Sequence, residues 1–440
     1  MPARYPKDLA KHVHAQLAAH KISGPAVAIL ENLFEVLYFA SLKSEEAERI
    51  SCRIAFIDRS NPDPDPPERK VADRWRHFVL EEDVPFTVRN VVKLSKAVDP
   101  WVSTLAVDTN SDGDLRIWGL IDQSVHYSTF VMKESVTGVE MPGILQAVIQ
   151  GLGDIAVYSS YLFLGSLRQD SLITRQQGVL EGGPVHEKLL PSIREFQGRI
   201  AEKVGKSQYD LRGHWDESLE DNWISALCRI LIGIRRYGHG GAILISDTKA
   251  SLTPKYALQY PRLAKSLVRE GILLVQNTAS SDVVYEEFLD KDADHIPVSL
   301  YLDESINKDE LEDTQNEITG CIRFISSLSR VDGLIWMTHD LSVQGFGVEI
   351  TSKKEPEALF SARNSAGTRA RKIDMHHYGT RHRSMMRYCA ANPDSVGFVV
   401  SQDGDVRAIT KVGDDVFLWD DVRLHSILNS KVSTRALVRK

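Results

Sequence analysis

Cysteines, long apolar runs and an apolar amino terminus are scarce or absent in this chain, and each scarcity excludes a class of protein. The four cysteines lie far apart and form no CxxC pair, which argues against a zinc site or a disulfide framework and fits a reducing compartment. No apolar run approaches the roughly 20 residues of a membrane-spanning helix, and the amino terminus lacks the apolar core of a secretory signal. We therefore expect a globular, cytoplasmic protein that does not contact a membrane.

Positive charge is also too scarce for a surface that binds a nucleic-acid polymer. The 440 residues include 53 lysines and arginines against 60 aspartates and glutamates, a formal net charge of −7. Binding to a phosphate backbone depends on a broad basic surface, so neither DNA nor RNA is an expected partner. The chain has no Walker loop, HExxH pair or GxSxG elbow. An anionic ligand must therefore be bound by a small local group of basic residues instead of a broad basic surface.

Residues 1–167 carry the pattern of an α+β domain. The stretch from Lys7 to about Ala40 is helical in pattern, and residues 50–58 alternate like a strand. Two apolar stretches flank a turn with Asp-Gly and predict a β-hairpin. Residues 141–154 are interpreted as a helix and the apolar stretch after them as a strand that closes the domain.

The second half predicts a larger α/β domain at residues 217–428, after a helical connector at 168–216. It begins with a helix from Glu217 to Arg236, then a glycine turn that leads into a strand. A long amphipathic helix ends near Leu328, a buried strand opens with Asp-Gly, and a hairpin with an Asp-Gly turn follows. The tail at 429–440 is polar and basic, and we expect it to be loosely held.

A compact cationic cluster stands out against the acidic composition. The string YGTRHRS places Arg381, His382 and Arg383 directly after Gly379 and Thr380. Thr380 is a plausible N-cap, which would place the three basic residues in the first turn of a helix. A helix N-terminus attracts anions, and two guanidiniums there can bind phosphate oxygens, while glycine permits close approach of the backbone. The alternative interpretation is an ordinary surface salt-bridge cluster.

A second motif supplies the opposite charge. Asp332 and Gly333 open the apolar strand that begins at Leu334. An aspartate there is either a turn former or a carboxylate displayed in a cleft, where it could hold a divalent cation. A carboxylate for a metal ion, together with guanidiniums for a triphosphate, is what nucleotidyl transfer needs.

Four strings taken in order resemble the diadenylate cyclase domain: GHGGAILIS, VDGLI, GTRHRSMMRYC and VGFVVSQDGDVRAI. The resemblance covers roughly Glu217 to Val422. The whole chain resembles the divergent group described as a probable sensor variant of that domain, which has its own N-terminal region. The fold implied is a mixed β-sheet flanked by helices, with a separate N-terminal α+β domain.

The resemblance also implies roles for individual residues. Asp332 would be the catalytic residue and would bind Mg²⁺ or Mn²⁺, with Asp403 as the second acidic group near the metal. The nucleotide and its phosphates would be held by Gly333, Leu334, Gly379, Thr380, Arg381, His382, Arg383 and Ser401.

Two departures from the family pattern bear on catalysis. The alanine of the Asp-Gly-Ala motif is Leu334 here, which is expected to narrow the pocket. The first glutamate of the Ser-Glu-Glu motif is Gln402, and an amide cannot neutralise a cation as a carboxylate does. The phosphate-binding half of the pattern is therefore intact, whereas the catalytic half is altered.

Two hypotheses of different classes follow. The first is a metal-dependent nucleotidyltransferase that joins two nucleoside triphosphates into a cyclic or linear dinucleotide, with self-association because two sites must face each other. The second is an inactive sensor that binds a nucleotide second messenger, such as a dinucleotide, in the same pocket. A downstream effector protein, bacterial signalling and antiphage defence are implied by the resemblance alone.

Overall fold

The computed structural model describes residues 3–63, 75–100, 102–123, 144–159, 162–205, 215–284, 288, 295, 297–402 and 404–424. These residues form two units with separate cores. The first ends at Gln176, and the second is Gln177–Leu424. The mixed α/β class and the presence of helix-flanked mixed sheets in both parts confirm the prediction of fold class.

The described residues of the first unit form an eight-stranded sheet with three α-helices. The helices are α1 (Pro6–Ala19), α2 (Val27–Ser41) and α3 (Val88–Leu94). The strands, including a small separate ribbon of β1 and β2, are β1 (Ser44–Glu45), β2 (Glu48–Arg49), β3 (Cys52–Phe56), β4 (Arg76–Pro85), β5 (Ser103–Thr109), β6 (Leu115–Asp122), β7 (Leu145–Gly151), β8 (Asp154–Ser159), β9 (Leu162–Arg168) and β10 (Ser171–Ile173).

The order of the large sheet is β10-β9-β8-β7-β3-β5-β6-β4, and β3 and β5 form its parallel pair. Its main core contains the buried faces of α1 and α2, including Leu9, Leu33 and Phe34, and the inward side chains of the sheet. These helices bury apolar side chains at spacings of three and four residues, because such side chains share one face of a helix. The predicted hairpin is confirmed as β5 and β6.

One element of the first unit was predicted incorrectly. Of the stretch at 141–154, the described part contains strand β7, which pairs with β3 and β8, instead of a helix. A short apolar run fits either structure by periodicity alone, and here the glycines after it favour a hairpin. Gly153 adopts a φ of 66° in the turn from β7 to β8.

The second unit is a nine-stranded mixed sheet covered by helices. The helices are α4 (Pro184–Val204), α5 (Trp215–Arg236), α6 (Arg262–Val284), α7 (Val298–Leu328) and α8 (Thr380–Ala391). The strands are β11 (Gly241–Ile245), β12 (Leu252–Tyr260), β13 (Leu334–Met337), β14 (Val343–Ile350), β15 (Leu359–Ala362), β16 (Ala370–Lys372), β17 (Val396–Val400), β18 (Val406–Val412) and β19 (Asp415–Trp419).

The strand order is β12-β14-β13-β11-β17-β18-β19-β15-β16. The pairs β11–β13 and β15–β19 are parallel, and the other pairs are antiparallel. The order places β11 and β13 in the middle of the sheet. Both strands are completely buried, as expected for parallel strands with helices on both faces.

Helix α8 packs on one face of this sheet. Its buried residues Met385, Met386, Tyr388 and Cys389 share a core cluster with Leu244 and Trp336 of the central strands. The Tyr388 hydroxyl lies 3.0 Å from Ser246 Oγ and donates to the Thr248 carbonyl at 2.9 Å. These bonds fix the carboxyl half of α8 beside the end of β11.

The boundaries of the second half differ in part from those predicted. The predicted first boundary at Leu167 falls inside β9, and the predicted connector at 168–216 contains β10 and α4. The long helix ending at Leu328 and the strand opened by Asp-Gly are present as α7 and β13. The tail at 429–440 lies outside the described residues.

Candidate functional site

Asp332 lies between α7 and the first residue of β13. Its side chain is 96% exposed, so the carboxylate is displayed to solvent instead of closing a turn. The adjacent Gly333 has a φ of 121°, which L side chains rarely adopt. A Cβ built on Gly333 would lie 2.4 Å from the backbone carbon of Gly347 in β14. This glycine is therefore required, and the close approach of the two backbones fixes the position of Asp332.

The basic motif begins helix α8, one residue earlier than the cap assignment from sequence. Gly379, with φ −67° and ψ 167°, is the N-cap, and Thr380 is the first helical residue. The prediction of Thr380 as N-cap was therefore wrong. No side chain among the described residues caps this helix start. The amino end of α8 thus retains the uncompensated N–H groups that bind anions.

Arg381 and Asp332 face each other, as the sequence predicted. Arg381 Nη2 lies 3.7 Å from Asp332 Oδ1, and the arginine side chain is 39% exposed. This distance is longer than a good hydrogen bond, and an exposed pair of this kind contributes at most about 1 kcal/mol to stability. Both charged groups therefore remain accessible to a ligand.

Arg383 has no acidic partner among the described residues. Its Nε is buried and forms no hydrogen bond there. A guanidinium carries five N–H donors, and a buried donor without a partner is unfavourable by about 1–3 kcal/mol. We call Asp332, Arg381 and Arg383 the open cluster, because the described residues compensate their charges poorly; Asp332 and Arg381 contact each other, and Arg383 lies two residues further along α8.

His382 faces the other way and is not a cation at neutral pH. Arg407 Nη1 of β18 lies 3.1 Å from His382 Nε2, so the imidazole accepts a hydrogen bond from the guanidinium. Burial, followed by the charge of Arg407, lowers the pKa of His382 to about 4. The local positive charge of the motif therefore comes from the two arginines.

Arg407 is held by two carboxylates that the sequence analysis did not connect with the motif. It forms ion pairs with Asp405 at 2.7 Å and with Asp420 at 2.6 Å. Its Cζ lies 5.9 Å from the centre of the Tyr378 ring. We call Arg407, Asp405, Asp420 and His382 the Arg407 network. The pairing of β18 with β19 brings Asp420 to Arg407, and the packing of α8 on the sheet brings His382 to it, so the motif itself gives no signal for these contacts.

The remaining predicted site residues that the structure describes lie in the core of the second unit or in the turn from β17 to β18. Leu334 is buried in the core beside Trp336. The Ser401 hydroxyl accepts a hydrogen bond from the Asp405 backbone N–H at 3.0 Å, within the turn from β17 to β18. Gln402 is exposed next to it, and Asp403 lies outside the described residues.

The described residues contain no group of three or more acidic, histidine or cysteine side chains that could enclose a metal ion. Mg²⁺ commonly binds through one or two carboxylates together with substrate phosphates. The exposed carboxylate of Asp332 beside the amino end of α8 fits that kind of binding, with the ligand supplying the other oxygens.

Comparison with known proteins gives one match. Residues 20–122 match the family described as "Probable sensor domain DACNV". No curated protein and no solved structure matches the chain. In the described part of the chain, no helix combines the length and apolar character needed to cross a membrane. The match runs from the end of α1 to the end of β6, in the first unit, so the probable-sensor likeness attaches to that unit and not to the motifs around Asp332 and Arg381.

Proposed function

We propose that the second unit binds nucleoside triphosphates at the open cluster and joins two of them into a dinucleotide with release of pyrophosphate. The observation that carries this proposal is the pairing of an exposed carboxylate, Asp332, with Arg381 at an uncapped helix start. Phosphoryl-type chemistry is catalysed mainly by positioning and by charge stabilisation, and these groups supply both.

The charges of the open cluster suit a polyphosphate. Arg381 and Arg383 can each donate paired hydrogen bonds to phosphate oxygens, and the free N–H groups of α8 add further donors. Arg383 in particular has a buried Nε that forms no hydrogen bond with the described residues. A bound phosphate would supply the missing acceptor and compensate the charge.

Asp332 would orient the attacking hydroxyl and share a divalent cation with the phosphates. Mg²⁺ or Mn²⁺, when bound, supplies charge neutralisation at the reacting phosphate. Asp332 can occupy this role because, among the described residues, its carboxylate forms one weak ion pair, with Arg381. Resemblance to the diadenylate cyclase domain implies that two copies must meet for two nucleotides to react, so self-association is part of the proposal.

The first unit would regulate this activity. Its match to a family described as a probable sensor domain supports a role in detecting a signal, which is then passed to the nucleotide site. The dinucleotide product would then carry the signal to a downstream effector protein.

A second function is favoured by one residue. Gln402 stands where the resembled motif has glutamate, and its amide is exposed at the β17–β18 turn. An amide does not neutralise a cation, so the same pocket would suit binding of a finished dinucleotide without turnover. The two arginines serve both functions.

Incubation of the purified full-length protein with each triphosphate and Mg²⁺ or Mn²⁺ separates the two functions. We expect dinucleotide and pyrophosphate as products. Asp332→Asn is expected to abolish product while binding of a ready-made dinucleotide is retained. Arg381→Ala is expected to weaken both turnover and binding, because it removes a phosphate contact.

Arg387→Ala is the matched control. Arg387 lies on the same helix but is paired with Glu355 at 2.7 Å, so its loss is expected to leave nucleotide binding unchanged. Dinucleotide binding without turnover in wild type would establish the second function. Absence of nucleotide binding at millimolar concentrations would contradict both.

A further inference from the structure

A polar cavity lies at the opposite end of β13 from Asp332. It has a volume of about 470 Å³, within the range of small-molecule sites, and lies entirely within the second unit. Its floor is formed where the parallel strands β11 and β13 end, at Asp247 and at Thr338 to Asp340. The carboxyl ends of parallel strands are the usual location of ligand sites in α/β sheets.

Most charges around this cavity are compensated. Asp247 accepts hydrogen bonds from the backbone N–H of His339 and from its Nδ1, both at 3.0 Å. Glu195 and Arg199 of α4 pair with each other at 2.5 Å. These contacts build the walls of the cavity and leave little free charge in them.

Asp340 is different. One of its oxygens, Oδ1, accepts hydrogen bonds from Thr338 Oγ1 at 2.7 Å and from the Ser342 N–H at 3.0 Å. These bonds fix the orientation of the carboxylate, while the other oxygen has no contact with the described residues. No lysine, arginine or histidine within the described ranges forms an ion pair with Asp340. Its charge is therefore available to a cation that enters the cavity.

A second, independent feature points to a ligand at the same place. Ser342 is only 5% exposed, lines the cavity, and its Oγ forms no hydrogen bond with any described group. Buried hydroxyls normally form a hydrogen bond, so the Ser342 hydroxyl can bond to a polar group from outside the chain. The side-chain amides of Gln259 and Gln344 line the same space and add neutral donors and acceptors.

The cavity also borders an apolar recess. Asp340 lines both spaces, and the recess adds the side chains of Phe196, Trp223 and Leu267. The recess holds only about 20 Å³, so an ammonium or guanidinium group could reach Asp340 while its aliphatic chain lies in the larger cavity. A phosphate would be repelled by Asp340.

We propose that this cavity is a second ligand site, which binds an alkyl ammonium or guanidinium group through Asp340 and Ser342. The site goes beyond the proposed nucleotide chemistry and uses none of its residues. The cation could belong to a free small amine or to a basic side chain of another protein, and the two sources are separated by the choice of probe.

Calorimetric titration of the full-length protein tests this proposal, with putrescine and agmatine as free amines and a doubly blocked lysine as the side-chain probe. We expect at least one probe to bind at low-millimolar concentration or better. Asp340→Asn is expected to weaken that binding by about tenfold or more, because it removes the charge. The asparagine Oδ1 can still accept the bonds from Thr338 and Ser342, so the turn is kept.

Two further variants complete the test. Glu355→Gln removes the same charge outside the cavity and is expected to leave binding unchanged. Ser342→Ala removes a hydroxyl with no internal partner, so it should fold normally and weaken binding severalfold. Absence of binding by all three probes, or equal binding by wild type and Asp340→Asn, would overturn the proposal.

Discussion

The open cluster and the Arg407 network lie on two sides of the same helix start. Their arginines differ in how completely neighbouring carboxylates compensate the positive charge. Arg407 is paired with Asp405 and Asp420, and the Asp405 side chain is almost completely buried. Arg383 has no acidic partner among the described residues. An arginine that is compensated on every side supports the structure, whereas one left uncompensated is available to a ligand.

The largest effect that would sharpen this comparison is expected from Arg407→Met. The substitution leaves Asp405 buried without its cation, and removal of one partner of a buried ion pair costs about 3–5 kcal/mol. We expect the free energy of unfolding, measured by urea denaturation, to fall by that amount.

Arg383→Met is the matched control for this loss. Because Arg383 is not paired with a described acidic residue and its buried Nε has no acceptor there, the same change is expected to leave stability unchanged or to raise it by about 1–3 kcal/mol. Equal destabilisation by both variants would show that the two arginines have the same structural role, and the comparison would fail.

Gly333→Ala tests whether the open cluster depends on a fixed backbone. The new Cβ would meet the backbone of Gly347 at 2.4 Å, at a φ of 121° that alanine rarely adopts. We expect a loss of about 2–4 kcal/mol in unfolding free energy, measured in the same way. Gly320→Ala, on the exposed face of α7 with no atom near the new Cβ, is expected to stabilise instead, by about 0.5–1 kcal/mol. Tolerance of alanine at 333 would mean that Asp332 is not held by this contact.

Part of this region could be predicted from the sequence, and the part that failed has a clear physical cause. The juxtaposition of Asp332 and Arg381 was predicted from motif resemblance, and the long helix α7 from its amphipathic pattern. The contact of His382 with Arg407, 25 residues further along the chain, could not be predicted from the motif. Local sequence specifies which groups are present, but the pairing of strands decides which charges face each other.

Strand β7 also shows that pairing with distant strands decides what local sequence cannot. Leu145–Gly151 is a strand because it pairs on both sides, with β3 and β8. Its sequence contains too few residues for its period to separate a strand from a buried helix. Elements that depend on distant partners are therefore the ones that sequence patterns predict least well.

The neutral state of His382 predicts a pH dependence of stability. The ordinary pKa of 6.5 applies to the unfolded chain, whereas burial and Arg407 lower the folded pKa to about 4. Between these values the unfolded state binds more protons, so stability falls as the pH is lowered from about 6.5 to about 4. The loss from this residue is at most about 3 kcal/mol.

His382→Gln measures that contribution directly. Glutamine can accept the bond from Arg407 but does not titrate, so we expect a shallower decline of unfolding free energy between pH 6.5 and 4 than in wild type. Identical pH profiles for the two proteins would mean that the pKa of His382 is the same in the folded and unfolded states, which would contradict its lowering by burial and Arg407.

The smallest expected effect concerns the geometry of phosphate binding. Arg383→Lys keeps the charge but loses the planar fork that donates two parallel hydrogen bonds to a phosphate. If Arg383 is a ligand-binding arginine, affinity for a non-hydrolysable triphosphate should fall about tenfold in calorimetric titration. Arg387→Lys makes the same exchange on the same helix, at an arginine already paired with Glu355, and should leave affinity unchanged. Weaker binding in Arg387→Lys but not in Arg383→Lys would place the phosphates elsewhere on the helix, because the compensated arginine would then be the one that binds them.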